Sequence, residues 1–109
     1  MKKIFVTLCL ATLLAGCSGS DSYADKMISL YEDTAEEYEN AQTLQELDEC
    51  RRHMQEQQQE IRRNEQEGRK ALTDSIKRLN KDAYRKYLDI LYAESYAQWI
   101  YTKRQHELK

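Results

Sequence analysis

Ile61-Arg62-Arg63-Asn64-Glu65-Gln66-Glu67-Gly68-Arg69-Lys70-Ala71-Leu72 is the stretch on which the fold of this chain turns. Gly68 is the only glycine after Gly19, and the 109 residues include no proline. A glycine enters the left-handed conformation that ends a helix at little steric cost. The main reversal of the chain is therefore predicted near Gly68. Folding back there sets Leu47 against Ile90, Met54 against Ala83, Ile61 against Ile76 and Cys50 against Tyr87. It also brings Tyr23, Tyr31 and Tyr38 to the end that carries Tyr84, Tyr87, Tyr92, Tyr96 and Tyr101. Residues 21–49 hold ten acids and one base, and residues 70–109 hold nine bases and five acids. The two arms are thus complementary in charge.

Periodicity on both sides of Gly68 is helical. Apolar residues recur every three or four positions at Met27, Leu30, Thr34 and Tyr38, again at Leu44, Leu47, Cys50 and Met54, and again from Leu72 through Ile76, Leu79, Ala83 and Tyr87. β-Branched residues are sparse and never alternate in strand fashion. The fold class is all-α. The expected architecture is a long antiparallel helical hairpin over residues 23–109, kinked near 40–43. There Thr43-Leu44-Gln45-Glu46 resembles a capping box, and Ser20, Asp21 or Ser22 can cap the first helix. The alternative is a three-helix bundle with a true loop at 40–43. Residues 55–70 are polar nearly all round, with Ile61 the one large apolar side chain. A helix of that kind needs a partner, which points to self-association through coiled-coil contacts.

The N-terminus has a different character. Lys2 and Lys3 precede an apolar run from Ile4 to Leu14, followed by Leu14-Ala15-Gly16-Cys17. The run is a secretory signal, too short to span a bilayer. Leu14-Ala15-Gly16-Cys17 resembles the lipobox of bacterial lipoproteins. The resemblance implies cleavage between Gly16 and Cys17, a diacylglycerol on the Cys17 thiol and acylation of the freed amine. Two or three acyl chains anchor a protein stably to a membrane. Residues 1–16 are then the signal peptide, 17–22 a flexible tether and 23–109 the helical domain. Ser18 resembles the pattern of outer-membrane lipoproteins, while Asp21 is the sole acid placed like a surface-export signal. The expected location is the bacterial cell envelope, lipid-anchored, at the outer membrane.

Export and charge exclude several functions. The mature chain of 93 residues keeps 15 basic against 19 acidic side chains, a net charge of −4, which argues against nucleic acid as a partner. Cys9 leaves with the signal and Cys17 carries lipid, so Cys50 is the one free thiol. It reads either as a small residue in a helix seam or as an intermolecular disulfide. Cys50 and His53 share a helix face, but His106 is remote, and no metal or cofactor is expected beyond the lipid on Cys17. No Gly-rich phosphate loop or nucleophile–base pair occurs, and an enzyme is not expected.

Two readings of the aromatic residues stay open. The tyrosines pack a thin seam with wet hydroxyls, or Tyr96, Trp99 and Tyr101 form an exposed surface for a protein, glycan or lipid. The final Lys109 is similar to the ending of Braun's lipoprotein family, which implies a structural spacer linked to peptidoglycan. Gln105-His106-Glu107-Leu108 departs from that family's basic-aromatic ending. The expected role is an envelope protein acting by protein contacts or self-association.

Overall fold

The computed structural model describes residues 19–109; the expected signal peptide, its expected cleavage site and Cys17 lie outside them. Four helices occur among the described residues, and no strand does: α1 (Gly19–Asn40), α2 (Leu44–Asn64), α3 (Gln66–Lys77) and α4 (Lys81–Glu107). The all-α expectation holds. The first helix already includes residues 19–22, so that part of the expected tether is helical. Asp21 lies within its first turn, where a carboxylate complements the helix dipole.

The chain does not reverse at Gly68. That residue lies inside α3, buried and without positive φ. The reversals fall on either side of it. The first is at 41–43, where Thr43 caps α2 by accepting from the Glu46 N–H at 3.0 Å. Glu46 reaches back to accept from the Gln42 N–H at 2.7 Å, so the capping box predicted there forms with its return bond one residue early.

The second reversal is at Arg78-Leu79-Asn80. Leu79 takes the left-handed conformation at φ 62°. The Asn80 N–H reaches Ser75 O at 3.0 Å and the Leu79 N–H reaches Ile76 O at 2.9 Å. This pair of bonds is a Schellman closure of α3, with leucine where glycine is usual. Asn80 then caps α4 by accepting from the Ala83 N–H at 3.0 Å. The Leu79 side chain is 88% exposed and packs on nothing that would offset its backbone cost. Leu79→Gly removes that cost while loosening the unfolded chain, and should raise stability by about 0.5–1 kcal/mol. A shift of the urea midpoint upward at constant slope checks it.

Between α2 and α3 the chain bends without reversing. Glu65 has φ −118° and ψ 34°, yet its N–H still bonds Ile61 O at 2.8 Å and its O accepts from the Arg69 N–H at 2.9 Å. The two helices form one bent arm. This arm runs antiparallel to α1: Lys26 pairs with Glu65, Tyr31 with Gln58, and Glu37 lies beside Cys50. In contrast, α4 runs parallel to α1. Asp21 pairs with Lys86 near one end, and Tyr38 meets Tyr101 near the other. The result is a three-armed bundle with α1 packed against both other arms, rather than a two-armed hairpin.

The core follows from this. Ala24, Met27, Tyr31, Ala35 and Tyr38 on α1 are buried against Leu47, Leu72, Ile90, Ala97, Ile100 and Tyr101. α1 is the inner helix because its buried positions recur every three or four residues along its length, on a stripe wide enough to face two arms.

Candidate functional site

α4 carries two unlike faces. Ala83, Ile90, Ala97, Ile100 and Tyr101 point inward and are buried. Tyr92, Tyr96 and Trp99 point outward, Tyr92 at 76% exposure and Trp99 at 59%. The expected surface of Tyr96, Trp99 and Tyr101 is therefore split. Tyr101, at 4% exposure, belongs to the core. The reason is angular: on a helix of 3.6 residues per turn, Tyr101 falls about 200° from Trp99 and well over 100° from Tyr96. Tyr92, not singled out in the sequence, takes its place one turn before Tyr96. The signal was present as the spacing 92, 96, 99, but it competes with the inward set until the helix's neighbours are known.

On the outer face, the rings of Tyr96 and Trp99 lie 6.2 Å apart and the Lys103 ammonium sits 5.6 Å from the Trp99 centroid. A groove of about 730 Å³ runs beside them, lined by Ile28 and Glu32 of α1 and by Asp89, Tyr92, Ala93 and Tyr96 of α4. The exposed aromatic side chains thus cluster on one face of α4.

The inward aromatic cluster joins all three arms. Tyr38 and Tyr101 stack at 5.1 Å between centroids, tilted by 59°. The Tyr101 hydroxyl donates to Asp48 Oδ1 at 2.8 Å, and the Arg51 guanidinium lies 4.7 Å over its ring. Arg104 donates to the carbonyls of Tyr38 and Ala41, closing the end of α1. Burial pushes the Tyr38 hydroxyl up to about 12, partly opposed by the Arg51 charge. Tyr38 thus keeps its proton in the fold while the unfolded chain loses it near the ordinary value of 10.0. Its contribution is whole below pH 10 and is lost as pH rises towards 12. Denaturation at pH 8, 10 and 11.5 should show a loss of about 2 kcal/mol over that window, reduced in Tyr38→Phe.

At the bend, Lys26 donates to Glu65 Oε2 at 2.8 Å. That bond holds the Glu65 carboxyl below its usual range. Cys50 lies in the α1–α2 groove, half-buried, its Sγ 4.0 Å from Glu37 O rather than beside Tyr87. Burial raises its pKa first, and Glu37, Glu46 and Glu49 raise it further. Both causes oppose the thiolate that disulfide exchange needs. His53 lines the same groove, but among the described residues no group of three His, Cys, Asp or Glu side chains is placed to hold a metal ion.

A second cavity of about 540 Å³ opens between α1, α3 and α4. Met27, Tyr31, Leu72 and Ile90 supply apolar walls, Arg62, Arg69 and Lys77 supply positive charge, and Glu94 supplies a carboxylate. Arg62 Nε is buried there without a hydrogen-bond partner. Among the described residues, no helix is long and apolar enough to cross a membrane. No protein-family model, curated protein or solved structure matches the chain.

Proposed function

We propose that this chain is a lipid-anchored helical protein of the bacterial envelope, held by Cys17 and working through protein contacts made by the outer face of α4. The observation that carries the contact reading is the outward row Tyr92, Tyr96 and Trp99 on α4, the helix that also exposes Tyr84 and Tyr87, while the tyrosines of α1 are all buried. Tyrosine and tryptophan anchor interfaces because they bring large area at small entropic cost. The lipobox carries the anchoring reading. Described helix begins two residues after Cys17, so an anchor there holds the bundle close to the membrane surface.

Two measurements test it. Cys17→Ala should abolish incorporation of labelled palmitate and leave residues 1–16 uncleaved; unchanged labelling and processing overturn the anchor. A photo-crosslinker at Ser95, exposed on α4, should capture a defined protein in intact cells, and Tyr92→Ala with Trp99→Ala should abolish the product. Capture that survives the double substitution overturns the contact face.

A second reading rests on the cavity between α1, α3 and α4. Apolar walls with three cations, Arg62, Arg69 and Lys77, against one carboxylate, Glu94, suit a single-chain anionic amphiphile, whose tail is buried while its head meets the cations. Titration with a fluorescent fatty acid should show saturable binding lost in Arg62→Ala; unsaturable or unchanged binding removes this reading.

A further inference from the structure

The outer face of α4 has an internal order that identifies one partner. Arg85, Asp89, Tyr92, Tyr96, Trp99 and Lys103 follow alternating steps of four and three, the spacing of a coiled-coil seam. All six are exposed in the described structure. The aromatic residues occupy the middle of the seam and the charges its ends.

The charges are also arranged about a centre. Asp89 and Lys103 lie seven residues before and after Tyr96, with opposite signs. Arg85 and Glu107 lie eleven residues before and after it, again with opposite signs. A second α4 laid antiparallel, with the two-fold axis at Tyr96, puts Asp89 on the second copy's Lys103 and Arg85 near its Glu107, which Arg104 of the same chain also holds at 2.9 Å. Each contact occurs twice, as two-fold symmetry requires. A parallel pair sets Asp89 on Asp89 and Lys103 on Lys103, which repel.

Shape agrees with charge. Trp99 and Ala93 lie three residues on either side of Tyr96. The antiparallel pairing therefore brings the largest side chain of the face onto the smallest. Ala93 lines the groove of about 730 Å³ with Ile28, Tyr92 and Tyr96, and no described residue fills that groove. The second copy's Trp99 enters it as a knob enters a hole.

We infer that two copies of this chain pair antiparallel through α4 about Tyr96, each Trp99 seated in the other's Ile28–Ala93 groove, and each Asp89 on the other's Lys103. The inference rests on the reading of α4 as the contact face and names its partner as the chain itself. On a membrane the pairing lays both bundles along the surface, since their N-terminal ends then point in opposite directions. Anchoring in one bilayer raises the encounter frequency of the two copies. Cys50 takes no part, because it sits in the α1–α2 groove.

Cysteine crosslinking of the full chain in its membrane tests the register, with Cys50→Ser as background and copper-phenanthroline as oxidant. Tyr96→Cys should give a disulfide dimer, because a residue on the two-fold axis meets itself. Asp89→Cys and Lys103→Cys should each stay monomeric alone and crosslink when co-expressed. Self-crosslinking of Asp89→Cys and Lys103→Cys as strong as that of Tyr96→Cys means a parallel pair and overturns the proposal. In detergent solution, Asp89→Lys should weaken the dimer about tenfold and Asp89→Lys with Lys103→Asp should restore it to within about threefold. A helical Tyr96→Cys protein that gives no dimer also overturns it. If the Ser95 crosslinker then still captures a different protein, α4 remains a contact face with another partner. Binding of Cys17→Ala protein to anionic phospholipid vesicles through Trp99, with no dimer, overturns the proposal in favour of a membrane-facing surface.

Discussion

Replacing Tyr101 by Ala should lower the unfolding free energy by about 3–5 kcal/mol, the range for truncating a buried large aromatic. Three contacts are lost together. The Tyr38 ring loses its neighbour at 5.1 Å, Asp48 loses the hydroxyl at 2.8 Å, and Arg51 loses the ring beneath its guanidinium. These partners come from α1 and α2, so the effect is on the junction of three arms rather than on one helix. A domain of this size has a total stability of about 5–13 kcal/mol, and the loss brings it towards its threshold. Tyr101→Phe keeps the ring and removes only the hydroxyl, and should cost about 1 kcal/mol. Urea denaturation of the two variants separates packing from the hydrogen bond. Equal losses in Phe and Ala would mean that the ring contributes nothing, contrary to the core placement of Tyr101. Trp99→Ala is the contrast: two positions away but on the outer face, it should leave the unfolding free energy of the monomer, measured at protein concentrations below dimer formation, within about 0.5 kcal/mol of the parent protein.

Leu47→Ala should cost about 3 kcal/mol, within the spread for buried leucines. Leu47 is 0% exposed and is the one fully buried side chain of α2. Cys50, Met54 and Ile61, the other apolar residues on its inner side, are only partly buried. Apart from the half-exposed Leu44, the remainder of α2 is polar or charged, and beyond the Asp48–Tyr101 and Gln58–Tyr31 bonds it holds by little more than exposed pairs worth about 0–1 kcal/mol each. Removing Leu47 therefore takes away the main apolar hold on this arm. Hydrogen exchange should show α2 amides losing protection before those of α1 and α4. Uniform loss along all helices would mean that α2 does not open as a local unit.

Both predictions depend on an arrangement only partly legible in the sequence. The helices were legible because local chemistry sets them: no proline, few β-branched residues and apolar spacing of three or four. The turn at 41–43 was legible because Thr43 and Glu46 are capping residues whose bonds close within one turn. The reversal at Leu79 was not. Leucine gives no sign of a left-handed conformation, and only the closure of α3 with the Asn80 cap over-determines it. Gly68 misled for the converse reason. Its freedom permits a reversal without requiring one, and its buried place inside α3 leaves it helical.

The aromatic residues show the same division. The sequence placed a Tyr-rich start beside a Tyr-rich end, and Tyr38 does meet Tyr101. The approach is parallel rather than antiparallel, because a second reversal turns the chain once more. With the number of reversals goes the facing of α4. Tyr101 becomes core and Tyr92 becomes surface.

The sequence by itself determined the helical class and the first turn, since each depends on residues adjacent in the chain. The tertiary structure alone decided how many arms there are, which helix is central and which side of α4 faces outward. Those depend on burial against partners remote in sequence, and a helix with apolar residues on two faces has no local means of choosing which one to hide.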